Sequence, residues 1–141
     1  MAKSSKPGGR LSGESGTALK QLLVLTAAIE ALTGLALIVH PSLVVQMLLK
    51  ADLSNAGISL GRITGFALIA LGVACWPRQD VSESQTSALR AMLVYNVLAA
   101  LYLTYLGIAD RGAGVLLWPA ALTHAVLAVL LTRAAVRRIE K

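Results

Sequence analysis

Residues 19–39 form an apolar segment of helical length that is interrupted near its centre by a single acid, Glu30. At about 1.5 Å per residue, a helix of this length extends about 31 Å, which matches the hydrocarbon thickness of a bilayer. Three further apolar segments of similar length follow at 58–76, 88–108 and 113–132. The sequence therefore predicts an all-α protein, a bundle of four transmembrane helices.

The composition favours the same class of protein. Of the 141 residues, 56% are hydrophobic and 14% are charged, whereas soluble domains carry about 25% charged residues. Because four spans use most of the length, we expect one transmembrane domain over residues 17–135. Residues 1–16 are rich in glycine and serine, which predicts a disordered basic tail, and residues 136–141 are expected to form a basic C-terminal tail.

A shorter apolar segment, residues 41–50, lies between the first two predicted spans. It is too short to cross a bilayer, and Pro41 at its start suits the first turn of a helix. We therefore expect a short interfacial helix between spans one and two, lying along the membrane surface.

The basic residues indicate the orientation of the chain. With both termini inside, ten of the 13 Lys and Arg residues face the cytoplasm, and Lys50, Arg62 and Arg111 lie outside. This bias predicts a multi-pass protein of the bacterial inner membrane with both termini cytoplasmic. We therefore attribute the net charge of +6 to the membrane orientation of the chain, and we expect membrane lipids to be its partner. Because the aromatic content is 4%, we expect no nucleic-acid partner.

Three polar side chains from three spans fall at nearly the same depth. Glu30, Asn96 and His124 each lie within two residues of the midpoint of their predicted span. A charged acid at the bilayer centre costs about 2.5–3.5 kcal/mol, so Glu30 must be either uncharged or paired. We interpret the three residues as a candidate polar pocket at the midplane, where an acid and an imidazole could handle protons. Alternatively, they form structural hydrogen bonds between helices, worth about 0.6 kcal/mol on average.

Two further residues are candidates for the mouth of this pocket or for contact with an anion. Arg62 lies about one turn inside the outer end of span two, and Trp118 lies near the start of span four. Each also has a plainer interpretation, because Arg62 suits control of topology and Trp118 suits an interfacial anchor.

Other spacings indicate packing between helices. Gly61 and Gly65 lie four positions apart, with three residues between them, which is the spacing at which two transmembrane helices approach closely. Tyr95 and Tyr102 recur after seven residues, and we attribute that recurrence to packing as well.

No metal site or cofactor is predicted. The chain has two histidines, of which His40 belongs at the outer boundary and His124 at the midplane, so they cannot easily share an ion. Glu30 and His124 alone would leave a metal without enough ligands. Because no phosphate-binding loop or nucleophile elbow is present, whether the chain is an enzyme stays open, and the absence of catalysis is the favoured interpretation.

Two resemblances follow from these residues. Residues 26–34, with the sequence TAAIEALTG, resemble the first helix of small multidrug resistance transporters, which implies that Glu30 exchanges protons for cationic drugs. His40-Pro41, Gly61-Arg62-x2-Gly65, Tyr95-Asn96 and Trp118-Pro-Ala-x3-His124 are broadly similar to small bacterial inner-membrane proteins of the DoxX-like kind. That resemblance implies a four-helix bundle and, in some relatives, an association with quinone or thiol redox systems.

Three hypotheses of function remain open. The first is an accessory subunit of a membrane complex, which would dock on a membrane protein or on a second copy through the Gly61/Gly65 face. The second is a proton-coupled transporter of a small hydrophobic or cationic solute that depends on Glu30. The third is a lipid- or quinone-associated enzyme in which Glu30 and His124 act as acid and base.

Overall fold

The computed structural model describes residues 9–77, 82–109 and 113–139, with side chains from 17–77, 85–109 and 113–137. The described elements, in chain order, are α1 Gly9–Val39, α2 Pro41–Leu49, α3 Asn55–Ala74, α4 Ser82–Ala109 and α5 Leu117–Ile139. Helices α1, α3, α4 and α5 are long and apolar enough to span a membrane, and the short helix α2 lies between the first two. The predicted all-α architecture of four spans with a short helix between spans one and two is confirmed.

The ends of the helices differ from the predicted bounds. Helix α1 begins at Gly9, inside the segment 1–16 that was predicted to be disordered, and residues 1–8 lie outside the described residues. Once the apolar segment is helical, each added residue gains a backbone hydrogen bond without a new nucleation cost, so the helix extends outward. Helix α5 begins at Leu117 instead of 113 and continues to Ile139, past the predicted boundary of the basic tail.

The first helix pair consists of α1 and α3, which are packed along much of their length. Their backbones come closest at Gly34 and Gly65, where a Cβ atom added to Gly34 would lie 2.6 Å from the carbonyl oxygen of Gly65. Further along, a Cβ atom added to Gly72 would lie 2.8 Å from the carbonyl oxygen of Ala27. Three glycines therefore allow an approach that other residues would prevent.

The second pair consists of α4 and α5, and it meets the first pair through far fewer contacts. The two pairs share one apolar core in the half of the bundle that contains the start of α1 and the end of α5. Its buried side chains come from all four spans or their ends: Leu19, Leu23, Ala27, Cys75, Ala88, Leu89, Met92 and Leu131. The architecture is thus two helix pairs joined mainly at one end.

A backbone link joins the pairs at the opposite end. The amide of Gly114 donates a hydrogen bond to the carbonyl of Leu48 (2.8 Å), and the amide of Leu116 donates to Met47 (3.0 Å). Residues 113–116 are therefore held against the end of α2, which explains why α5 starts at Leu117 and not at 113. This link between α2 and the start of α5 is not visible in a hydropathy pattern.

Candidate functional site

Asn96 and His124 form a direct hydrogen bond between α4 and α5. The Nδ1 atom of His124 lies 2.9 Å from the Oδ1 atom of Asn96, and Asn96 is completely buried. The amide nitrogen of Asn96 donates to the carbonyl of Met92, one turn earlier on α4, over 2.9 Å. The structure therefore brings together two of the three predicted midplane residues.

Tyr95 lies between this pair and the acid on α1. Its ring packs edge-on against the His124 ring, with the centroids 5.6 Å apart and the planes at 80°. Its hydroxyl also interacts electrostatically with the carboxyl group of Glu30. The candidate site is thus a cluster of four residues, Glu30, Tyr95, Asn96 and His124, which we call the midplane cluster.

The carboxyl group of Glu30 is buried but unsatisfied. The residue is 0% exposed, and no hydrogen bond of good geometry reaches either carboxyl oxygen from the described residues, although the Tyr95 hydroxyl lies close enough to interact with the carboxyl group. One turn earlier, the equally buried Thr26 donates its hydroxyl to the carbonyl of Leu22 over 2.7 Å. Because most buried polar atoms in proteins are hydrogen-bonded, this buried acid beside a satisfied polar neighbour is a candidate functional group.

Glu30 does not contact His124 through a hydrogen bond or ion pair, because its oxygens have no such partner in the part of the chain that the structure describes. The predicted meeting of acid and imidazole is therefore indirect and runs through Tyr95. The sequence interpretation treated Tyr95 as packing. Its position beside Asn96, at the depth of Glu30, was the signal that could have identified it.

The midplane cluster marks a boundary in the packing of the bundle. Beyond Glu30, the buried residue on α1 is Gly34, which faces α3, and the described side chains of α4 beyond Asn96 are all at least partly exposed. On the other side of the cluster, Leu23 and Met92 are completely buried in the shared core. The cluster thus lies where close packing between α1 and α4 ends.

Arg62 and Trp118, the two residues predicted at the mouth of the pocket, make their described contacts away from the midplane cluster. The Nε atom of Arg62 donates to the carbonyl of Ile38 over 3.3 Å, and the residue is exposed. Ile38 is in the last turn of α1, where carbonyls lack a helical partner and a cation is favourable. The indole of Trp118 is half exposed and lies beside Gly107 of α4. The contacts described for both residues are with the ends of helices.

The Gly61/Gly65 face is occupied within the chain. A Cβ atom added to Gly65 would lie 2.5 Å from the carbonyl oxygen of Gly34, and one added to Gly61 would lie 2.9 Å from the Cβ atom of Pro41. These glycines therefore pack α3 against α1 and the start of α2. The face that the sequence interpretation offered for docking is turned toward the protein's own helices.

Among the described residues, no group of three or more His, Cys, Asp or Glu side chains is close enough to serve as metal ligands. Comparison with known proteins gives no further guide, because the chain matches no family model, no curated protein and no solved structure. The two resemblances therefore remain predictions.

Proposed function

We propose that this small multi-pass membrane protein is a proton-coupled transporter of a small hydrophobic or cationic solute, with Glu30 as the proton-binding group. The observation that carries the proposal is the completely buried Glu30 carboxyl, whose two oxygens have no hydrogen-bond partner among the described residues. Such a group is stable when it is uncharged or when an external molecule supplies its partner.

The surroundings of Glu30 support exchange between these two states. An ionised carboxylate in hydrocarbon costs several kcal/mol unless it is paired. No Lys or Arg side chain meets this need by a hydrogen bond, since the carboxyl oxygens accept none from the described residues. A solute with a cationic or hydrogen-bond-donating group would compensate the charge, so binding of the solute and release of the proton are coupled.

The sparse packing between the two helix pairs offers a route by which a solute could reach the buried Glu30. The α1/α3 pair and the α4/α5 pair are each well packed, whereas contacts between the pairs are sparse. Glu30 on α1 and Tyr95 on α4 face each other across this seam. Rigid pairs that move against each other around a central site are a common arrangement in transporters.

We propose the bacterial inner membrane as the location, with both termini in the cytoplasm. Support comes from the described basic residues, since Lys20, Arg90, Arg133 and Arg137 lie near one end of the bundle and Lys50 and Arg62 near the other. On this proposal the shared apolar core closes the cytoplasmic half, and α2 lies at the outer surface.

The test measures proton release on binding. Purified protein in lipid nanodiscs is titrated with hexylammonium, a small cation with an apolar tail, in weakly buffered solution that contains a pH indicator. We expect release of up to one proton per bound solute in the wild type and none in Glu30→Gln. Thr33→Val, an exposed position on the same helix, should behave as the wild type.

Two results would contradict the transporter proposal. One is binding without proton release in the wild type, and the other is equal release in Glu30→Gln. Native mass spectrometry of the same samples reports bound molecules and assembly together. A quinone retained by the wild type would favour the enzyme hypothesis, and a retained partner protein, with Glu30→Gln unaffected, would favour the accessory subunit.

A further inference from the structure

The side chain of Asn96 has one possible orientation. Its Nδ2 atom lies 2.9 Å from the carbonyl oxygen of Met92, and a carbonyl can accept a hydrogen bond but cannot donate one. Turning the amide over would place two acceptor oxygens against each other in a site that is completely buried. The amide NH₂ therefore faces Met92, and Oδ1 faces His124.

This orientation determines which nitrogen of His124 carries the proton. Oδ1 of Asn96 can only accept, and it lies 2.9 Å from Nδ1 of His124, so Nδ1 must be the donor. In a neutral imidazole one nitrogen donates and the other has a lone pair. The lone pair of His124 is therefore on Nε2, which makes no hydrogen bond with any residue that the structure describes.

We infer that Asn96 is a positioning residue that holds His124 as the Nδ1–H tautomer, so that Nε2 accepts a hydrogen bond from the ligand of the midplane cluster. The edge-on Tyr95 ring, at 80° to the imidazole, restrains the ring from the second side. The ligand class rests on the proposed function, whereas the tautomer does not depend on it.

The ligand class follows from which atoms in the cluster are free. Free acceptors are the two oxygens of Glu30 and Nε2 of His124. Of the donors nearby, the Asn96 amide donates to Met92 and the Thr26 hydroxyl donates to Leu22, while the Tyr95 hydroxyl lies beside the Glu30 carboxyl group. One hydroxyl cannot satisfy three acceptors, so acceptors remain in excess. A site rich in acceptors binds molecules that bring their own donors. The ligand is therefore an apolar molecule that carries N–H or O–H groups.

The tautomer is measured directly by nitrogen NMR of histidine-labelled protein in lipid bilayers at mildly alkaline pH without ligand. His40 is exposed at the end of α1, so His40→Gln leaves His124 as the single labelled residue. We expect a protonated Nδ1 and an unprotonated Nε2. In Asn96→Leu we expect loss of this preference, while Leu98→Ala, at an exposed position of α4, should keep it.

If Nε2 is the main protonated nitrogen of His124 in the wild type, the positioning role of Asn96 is overturned. This result does not depend on whether Asn96→Leu folds. An unchanged tautomer in a folded Asn96→Leu overturns it as well.

The ligand class is tested by adding hexylammonium or hexyltrimethylammonium to the same samples. Both are cations with the same tail, but only hexylammonium carries N–H donors. We expect the Nε2 resonance to shift with hexylammonium but not with hexyltrimethylammonium. Equal shifts, or no shift with either, overturn the ligand class. Failure of the proton-release assay instead removes the transporter proposal and leaves the tautomer result standing.

Discussion

Gly34 and Gly65 face each other across the α1/α3 interface so closely that a Cβ atom on Gly65 would lie 2.5 Å from the carbonyl oxygen of Gly34. The contact is between backbones, so a larger side chain cannot be accommodated by a rotamer change. It fixes α1, and with it Glu30, against α3. The stability of the first helix pair therefore depends on this contact.

Gly65→Ala should lower the free energy of unfolding by about 1–3 kcal/mol, the usual cost of adding volume to a packed interface. Gly65→Ile should prevent the pair from forming. Ala67→Leu is the control, because Ala67 is exposed on the same helix and can take a larger side chain. Unfolding in mixed detergent micelles measures both, and a Gly65→Ala protein as stable as Ala67→Leu would contradict the interface.

Glu30→Met should stabilise the protein while it abolishes proton release. Methionine has a similar shape and removes the unsatisfied carboxyl, whose burial costs about 1–3 kcal/mol. Thr26→Val is the control on the same helix, because Thr26 is equally buried but its hydroxyl is bonded to Leu22. That variant should gain no stability. Destabilisation by Glu30→Met in the same unfolding assay would mean that the carboxyl has a structural partner.

Asn96 and His124 should be energetically coupled. Their hydrogen bond lies within the membrane span, and such bonds contribute about 0.6 kcal/mol on average and up to about 1.7 kcal/mol. A double-mutant cycle with Asn96→Leu and His124→Leu should give a coupling energy in this range. A second cycle that pairs Glu30→Gln with His124→Leu should give less, since those side chains are not bonded. A larger coupling energy between Glu30 and His124 than between Asn96 and His124 would contradict the observed geometry.

Gly114→Ala should loosen the link between α2 and the start of α5. Its Cβ atom would overlap the carbonyl oxygen of Met47, so the amides of Gly114 and Leu116 would lose their bonds to α2. Hydrogen exchange at residue 116 should become faster in this variant. Val115→Ala, at a position that is 73% exposed, should leave the rate unchanged, and equal rates in both variants would show that the link is not needed.

The helices could be predicted from the sequence because hydropathy reports a local property. Helix α3 begins and ends within three residues of the predicted span two, and α1 and α4 end within one residue of spans one and three, although both begin earlier than predicted. Helix α5 starts four residues later than predicted because Gly114 and Leu116 are held by distant carbonyls of α2. A bond between residues that are far apart in the chain leaves no mark in local composition.

Part of the candidate site could be predicted from the sequence. Depth along each span selects Glu30, Asn96 and His124, but it does not say which way a side chain points around its helix. The bond between Asn96 and His124, and the absence of one from Glu30, depend on how the two helix pairs meet. Nothing in the local sequence distinguishes Tyr95 from a packing residue, because its contact with His124 depends on how α4 and α5 meet.

The protonation state of Glu30 tests the account most directly, and infrared difference spectroscopy of the protein in bilayers can measure it. At neutral pH we predict a carboxylic acid C=O band in the free wild type that is absent from Glu30→Gln. Addition of hexylammonium should replace this band with carboxylate bands as the proton leaves. A carboxylate at Glu30 in the free protein, or an acid band that persists with hexylammonium bound, would contradict the account.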